Sequence, residues 1–379
     1  MKILVLSREY FPIIGGGGRA TRILAEEWVR QGHRVDLVTA SIGDIPRKEI
    51  VNGVNVIRVN AFSRRASMTI GGAVGYTISA LVKGAILLRQ NRYDAIHSGF
   101  LVPAGFVGVV LSKLYHVPHE TMPMGGDVYE PARKASPHRN FLFRAVVRWV
   151  VSNSIVATSS SDLEDKIKKY YSAGARQIRI PVGFLEPSGL DIVVKEPFLK
   201  EIKTIVAVGT LYKRKNYDKI IEAVARLHRL DIQLRIIGQN GPAREQLELL
   251  IKEGELADRV FLLGALSEKE KYEELLRADL FCSMADQDGY SIVCQEGMYF
   301  GLPIIAANTG GQIDYLINEK NALLVDAQNS DSIAQAIERL LEDRNLAKKI
   351  AQQAKHDSEQ FASDKVARQH IAVLSGSVS

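Results

Sequence analysis

The sequence predicts an α/β chain built from two doubly wound parallel sheets in tandem. Three observations carry this. Short apolar runs alternate with helix-period stretches along almost all of the 379 residues. The alternation lapses once, at 184–197, and then restarts. The composition, 46% hydrophobic and 24% charged, is that of a globular protein long enough for two domains.

In the first half, ILVLS (3–7) reads as a buried strand, followed by a glycine loop and a helical stretch at 19–32. VDLVTA (35–40), VNVIRV (54–59), a helix near 72–90, DAIHSG (94–99), SIVATSS (154–160) and IRIPVG (178–183) continue the series. Strand–helix alternation at this spacing argues for a parallel sheet with helices on both faces. FLEPSGLDIVVKEP (184–197) has two prolines and no helical period, and reads as a linker. Strands then recur at 204–209, 234–238, 260–264, 279–284, 303–307 and 322–325, with helices near 216–229, 242–254 and 268–277 and from 330 onward. The expected domains are 1–183 and 201–355, with a linker at 184–200 and a C-terminal helix at 356–379 that crosses back to the first domain. Such sheets bind ligands outside the carboxyl ends of their strands, here in a cleft expected between the domains.

Charge divides unevenly. Residues 1–183 hold 25 Lys and Arg against 13 Asp and Glu, a net of +12, and the remainder is net −6. A basic first half suits an anionic partner: a nucleic acid, an anionic membrane surface or a phosphate-bearing acceptor, beside plain solvated charge. The segment 131–151 places Arg133, Lys134 and Arg139 before an apolar run with Phe141, Phe143 and Trp149. Arg144 and Arg148 share one helical face there. That composition suits a headgroup layer, and equally a domain helix with a buried face. The uncharged runs 66–82 and 99–112 fall short of the roughly 20 apolar residues of a membrane span. MKILVLSREY lacks the features of a signal peptide. Cys282 and Cys294 are too few for a disulfide framework and lack metal-ligand spacing, so a reducing cytoplasm fits.

Three stretches have the residue types for chemistry. IIGGGGRATR (13–22) sets four glycines between a strand and a helix. Glycine allows close backbone approach, and a helix start offers N–H groups to a phosphate. The spacing is not the dinucleotide fingerprint, because Thr21 stands where its third glycine would be. In VGTLYKRKN (208–216), Lys213, Arg214 and Lys215 follow a strand's carboxyl end, where cations suit a diphosphate as well as a basic turn. In DQDGYSIVCQEGMYFG (286–301), a helix starts near Ser291 and Glu296 lies one to two turns in. The two oxygens of a carboxylate match the paired hydroxyls of a ribose, though a buried ion pair would use the same residue. Asp286 and Asp288 also spell a two-acid metal motif.

Taken in order, FPIIGG (11–16), VGTLYKRKN (208–216), Asp288 with Glu296 after seven residues, and GMYFGLPIIAANTGG (297–311) resemble the GT-B fold glycosyltransferases of family 4. The resemblance implies two Rossmann-like domains, with a nucleotide-sugar donor, UDP- or GDP-linked, held mainly by the second and an acceptor held by the first. It implies retained anomeric configuration and no metal or other cofactor. Carried over, Lys215 and Asp288 are the catalytic pair. Gly16, Gly17, Lys213, Arg214, Lys215, Gly238, Asp288, Gly289, Tyr290, Ser291 and Glu296 would bind the donor, and Met124 and Asp127 lie on the acceptor side. Three departures stand out: Asp288 replaces a Glu, Thr210 replaces an Arg, and Met124 replaces a His.

The implied function is hexosyl transfer to a glycan or polyprenyl-linked acceptor in cell-surface polysaccharide or glycolipid synthesis. It involves no nucleic acid, and the setting is the cytoplasm or the inner face of a membrane. A non-hydrolysing nucleotide-sugar epimerase and a non-catalytic sugar-nucleotide-binding subunit are the alternatives.

Overall fold

The run KILVLS (β1, Lys2–Ser7) is buried from Ile3 onward because it lies inside a sheet covered on both faces. A computed structural model describes the chain except residues 13–14, 42–43, 62–69, 132–135, 188–191, 197, 228, 287 and 378–379. Among the described residues, β1 is followed by β2 (Arg34–Ser41), β3 (Lys48–Val51), β4 (Val54–Asn60), β5 (Ala95–Gly99), β6 (His119–Met122), β7 (Ile155–Thr158) and β8 (Gln177–Arg179). These pair in the order β3-β4-β2-β1-β5-β6-β7-β8, all parallel except β3 against β4. The helices are α1 (Gly16–Arg30), α2 (Ile70–Gln90), α3 (Phe106–Tyr115), α4 (Phe141–Val151) and α5 (Ser161–Tyr170).

The second series is β9 (Lys203–Val208), β10 (Ile232–Ile237), β11 (Val260–Gly264), β12 (Leu280–Ser283), β13 (Ile304–Ala307) and β14 (Leu323–Val325). Its order, β11-β10-β9-β12-β13-β14, is the 3-2-1-4-5-6 order of a dinucleotide-type doubly wound sheet. Between and after the strands run α6 (Tyr217–Arg226), α7 (Arg244–Glu253), α8 (Glu268–Arg277), α9 (Ile292–Tyr299), α10 (Ser330–Glu342), α11 (Arg344–Ser358) and α12 (Ser363–Leu374).

The chain divides into one unit of Met1–Leu185 with Phe361–Ser379, and another of Glu186–Gln360. The C-terminal segment expected as one helix from 356 is two. α11 ends at Ser358 in the second unit, and after a 3-10 turn α12 belongs to the first. Period-2 alternation sorts the first unit's layers. Leu4, Leu6 and Ile96 face α2 and α3, while His97 faces Trp28 of α1 and His370 of α12.

Two expectations need correction. β3 was not anticipated: it forms a hairpin with β4 around Asn52-Gly53, both at positive φ, the turn chemistry such hairpins require. α2 forms where a helix was expected, near 72–90, but the expectation that no stretch reaches spanning length is overturned, because Gly71–Gln90 is long and apolar enough to cross a membrane despite Lys83 and Arg89. Its inner side is nevertheless core, with Tyr76, Ala80 and Leu87 buried.

Candidate active site

In the second unit the strand order reverses between β9 and β12, so the loops leaving these strands diverge at their carboxyl ends. Both basic and acidic candidates lie there. Gly209, at φ +148, turns the chain out of β9, and the Tyr217 hydroxyl donates to its carbonyl at 2.8 Å. Lys213, Arg214 and Lys215 form a 3-10 turn. Asn216 ends it in the left-handed region and donates from Nδ2 to the Met284 carbonyl at 2.8 Å. Asn tolerates that backbone region, so one residue both stops the turn and ties it to the end of β12. Asn216 is a site-building residue that the sequence reading passed over.

The loop after β12 closes the pair. Lys215 Nζ donates to Asp288 Oδ2 at 2.5 Å, and Arg214 stands 3.8 Å from the other carboxylate oxygen. Burial would raise the Asp288 carboxyl, but Lys215 and Arg214 outweigh it and hold it below the usual range. The Asp288 carbonyl accepts from Gly311 N at 3.0 Å, and a Cβ on Gly310 would lie 2.9 Å from that carbonyl. Ser291 caps α9 through its backbone position, with Gly289 and Tyr290 half-buried before it. The Ser291 carbonyl accepts from Tyr315 Oη at 2.7 Å. The first N–H groups of α9 have no partner within the helix and carry its positive dipole end.

Gly238 lies at the same edge for a packing reason: a Cβ there would fall 1.9 Å from the Gly209 carbonyl oxygen. Glu296 sits deeper than a surface contact. It is 1% exposed, and its Oε1 accepts from Lys271 Nζ of α8 at 2.8 Å. The ribose carboxylate expected from sequence therefore has a protein cation as partner. Lys271 was missed because α8 reads as an ordinary charged helix. Gln287 lies outside the described residues.

The first unit brings a second set together, again where its strand order reverses, between β1 and β5. A Cβ on Gly17 would fall 2.5 Å from Phe100 Cζ and 2.8 Å from Met124 Cγ, whereas Gly16 has open space. Phe100 has φ +79, unusual for a bulky residue and a marker of a constrained site. Asp127 is half-buried and tied to the backbone: Oδ1 accepts from Met124 N at 2.8 Å and Oδ2 from Leu101 N at 2.7 Å. Burial pushes its carboxyl up, against those two backbone donors. Both oxygens of Asp127, expected on the acceptor side, thus order the loop that presents Met124. Glu9 was also unanticipated: its carboxylate accepts from Gly15 N at 3.3 Å, beside the α1 amino end. Ile13 and Ile14 of the glycine loop lie outside the described residues.

Among the described residues, one group of three could ligate a metal: His97, Glu120 and His370, with ligating atoms within 4.8 Å of one another. Both imidazole Nδ1 atoms already lie at hydrogen-bond distance from Glu120 Oε1, at 2.9 and 2.6 Å.

Two family models match the sequence. Residues 15–183 fit the glycosyl transferase 4-like domain, and residues 191–357 fit glycosyl transferases group 1. The chain belongs to the GT-B glycosyltransferases of family 4. This family 4 chain is 28% identical over 392 aligned positions to an uncharacterized glycosyltransferase of Methanocaldococcus jannaschii, covering 98% of this chain and 97% of that one. A Campylobacter jejuni N-acetylgalactosamine-N,N'-diacetylbacillosaminyl-diphospho-undecaprenol 4-alpha-N-acetylgalactosaminyltransferase is 28% identical over 59% of this chain and 60% of its own. Among solved structures, sucrose-phosphate synthase from Thermosynechococcus elongatus superposes with a TM-score of 0.83 at 21% identity, covering 98% of each chain. The Anabaena HepE complex with UDP-glucose superposes at 0.74 and 18% identity, covering 99% of this chain and all of that one. The family 4 assignment accounts for the two doubly wound sheets and for the order of the three motifs along the transferase.

Proposed function

We propose that this glycosyltransferase moves a hexose from a UDP- or GDP-linked sugar to a glycan or polyprenyl-linked acceptor, with retention and without a metal. The process served is cell-surface polysaccharide or glycolipid synthesis, at the cytoplasmic face of a membrane. One observation carries the reading. At the topological switch point of the second unit, Lys215 and Arg214 converge on Asp288 beside the amino end of α9. Breaking a sugar–phosphate bond builds negative charge on the diphosphate, and fixed cations and helix N–H groups stabilise it. A diphosphate oxygen then accepts the proton of the attacking hydroxyl on the same face of the sugar, so configuration is retained. The UDP-glucose in the Anabaena complex and the diphospho-undecaprenol in the name of the Campylobacter relative support the donor and acceptor classes.

A second reading, a non-catalytic sugar-nucleotide-binding subunit, draws on Met124 packed at Gly17 where the family resemblance implies a His, and on Thr210 in place of an Arg.

The test is a thermal-shift screen over UDP-, GDP- and ADP-sugars, followed by donor turnover with and without EDTA. A ligand that binds the native state raises Tm. One nucleotide sugar is expected to raise Tm, and its slow turnover should survive EDTA. Lys215→Ala should lower turnover more than donor affinity, because leaving-group charge is greatest in the transition state. Activity that dies with EDTA and returns with manganese would instead make Asp286 and Asp288 a metal pair. Donor binding with no turnover under any condition would favour the binding subunit.

A further inference from the structure

The helices α2, α3 and α4 cover one face of the first unit's sheet, with α2 packed on α3 and α3 on α4. None of the three contains an Asp or Glu. Their basic residues are Lys83, Arg89, Lys113, Arg144 and Arg148. Sequence spacing sets the rest of the surface. Val74, Ile78, Val82 and Ile86 recur every four residues along α2, and that stripe is 40–57% exposed. Leu114 on α3 and Phe141 and Leu142 on α4 are exposed by 66%, 76% and 62%. A single exposed aliphatic residue is ordinary, but a four-residue aliphatic stripe on a helix layer that carries cations and no acid is not.

The inward side of the same helices is committed to the fold. Tyr76, Ala80 and Leu87 are buried, and Gly84 lets α2 approach so closely that a Cβ there would fall 2.4 Å from Leu111 Cδ1. With the unit folded, α2 can lie on a bilayer but not across it. On the opposite face α12 carries Asp364, while the acids of α1, Glu26 and Glu27, are buried and paired with Arg22 and Arg30. α5, beside α4, carries Asp162, Glu164 and the exposed Asp165, of which the first two are paired with Lys166 and Arg179.

We infer that the α2–α3–α4 face docks the first unit on an anionic phospholipid surface. Aliphatic side chains enter the headgroup boundary, and the Lys and Arg residues meet lipid phosphates. This deepens the membrane setting of the reading above and holds independently of the transfer chemistry. The geometry also orients the protein. α2 and α4 follow β4 and β6, so their first turns, with Val74, Phe141 and Leu142, lie toward the carboxyl edge of the sheet. Gly17 and Met124 are at that same edge, which is where a lipid-linked acceptor would need to arrive. Of the other basic residues singled out from the sequence, Arg139 is exposed just before α4, and Arg133 and Lys134 lie outside the described residues.

The experiment is co-sedimentation of the full chain with vesicles of phosphatidylcholine alone or mixed with phosphatidylglycerol. The wild type is expected to pellet with the mixed vesicles, less so as salt rises, and to stay in solution with phosphatidylcholine alone. Ile78→Glu/Val82→Glu should reduce pelleting about tenfold or more, and Arg89→Glu/Lys113→Glu by about tenfold. Lys365→Glu/Arg368→Glu, with the same charge change on the exposed side of α12, should pellet like the wild type. All four positions on the docking face are at least partly exposed, and an unchanged Tm verifies that the variants fold. Equal binding by wild type and Ile78→Glu/Val82→Glu, or none by the wild type, overturns the inference. So does a wild-type dimer in solution that the same variant converts to a monomer without vesicle binding, since the stripe would then belong to a second copy. Nucleotide-sugar thermal shifts on the same variants separate failure of this inference from failure of the donor reading.

Discussion

Glu296 is a carboxylate inside an apolar helix, and Lys271 is what lets it stay there. Lys271 Nζ reaches Glu296 at 2.8 Å and Glu268 at 3.1 Å, and both members of the inner pair are almost fully buried. Removing one partner of a buried ion pair is costly because the other charge stays behind. Lys271→Met is therefore expected to lower stability by about 3–5 kcal/mol. Lys271→Met/Glu296→Gln should recover a large part of that loss, since no buried charge is then left alone. Urea midpoints of the two variants decide the point, and a double variant no more stable than the single would show that the pair is not the reason. The anomaly of an acid among Ile292, Val293, Cys294 and Met298 was visible in the sequence. Its partner was not, because twenty-five positions separate the two and only the folded second unit brings the side chain of Lys271 on α8 to Glu296 on α9.

At the scale of elements, α12 is held to the first unit by a buried polar cluster. Glu120 on β6 accepts from His97 on β5 and His370 on α12, and Trp28 Nε1 donates to the Ala367 carbonyl at 3.1 Å. Glu120→Ala would leave two buried imidazole donors without their acceptor, for a loss of about 3–5 kcal/mol. The same region sets an acid response. The two histidines hold the Glu120 carboxyl at about 2 against the burial that would raise it, so its contribution is present above about 4.5 and is lost as pH falls toward 2. Burial pushes His119 down to about 3 and lowers His97 as well. For these the unfolded chain takes the proton first, so stability falls as pH drops below about 6.5, by at most about 1.4 kcal/mol per pH unit for each proton. His119→Asn should flatten the Tm profile between pH 6.5 and 5. A profile as steep as the wild type's would remove His119 from the acid response.

At the scale of the molecule, the chain leaves the first unit at Leu185 and returns to it at Phe361, so the first unit is discontinuous in sequence and the second is not. A chain ending at Gln360 would lack the helix that buries Trp28 and His97 and contributes Val366, Val373 and Leu374 to the core. Calorimetry of that truncation is expected to show the transition of the first unit lost or strongly lowered, with that of the continuous second unit kept. Two unchanged transitions would mean that α12 is an accessory. The units otherwise repeat one plan, since in each the functional candidates gather where the strand order reverses.

Local information settled most of this plan. Apolar strands bounded by Gly and Pro, helices of matching period, the glycine string at α1 and the basic turn after β9 can all be read within windows of about ten residues, because propensity, periodicity and turn chemistry act over that range. Even Asn52-Gly53, the signal for the missed β3 hairpin, was local and in plain view. What only the tertiary structure decided are the pairings across distance: Lys215 with Asp288, Lys271 with Glu296, Glu120 with both His97 and His370, and Gly17 against Phe100 and Met124. Each depends on which strands become neighbours in a parallel sheet, where every crossover carries a whole helix. Partners therefore meet from tens to hundreds of positions apart, beyond the reach of any sequence window.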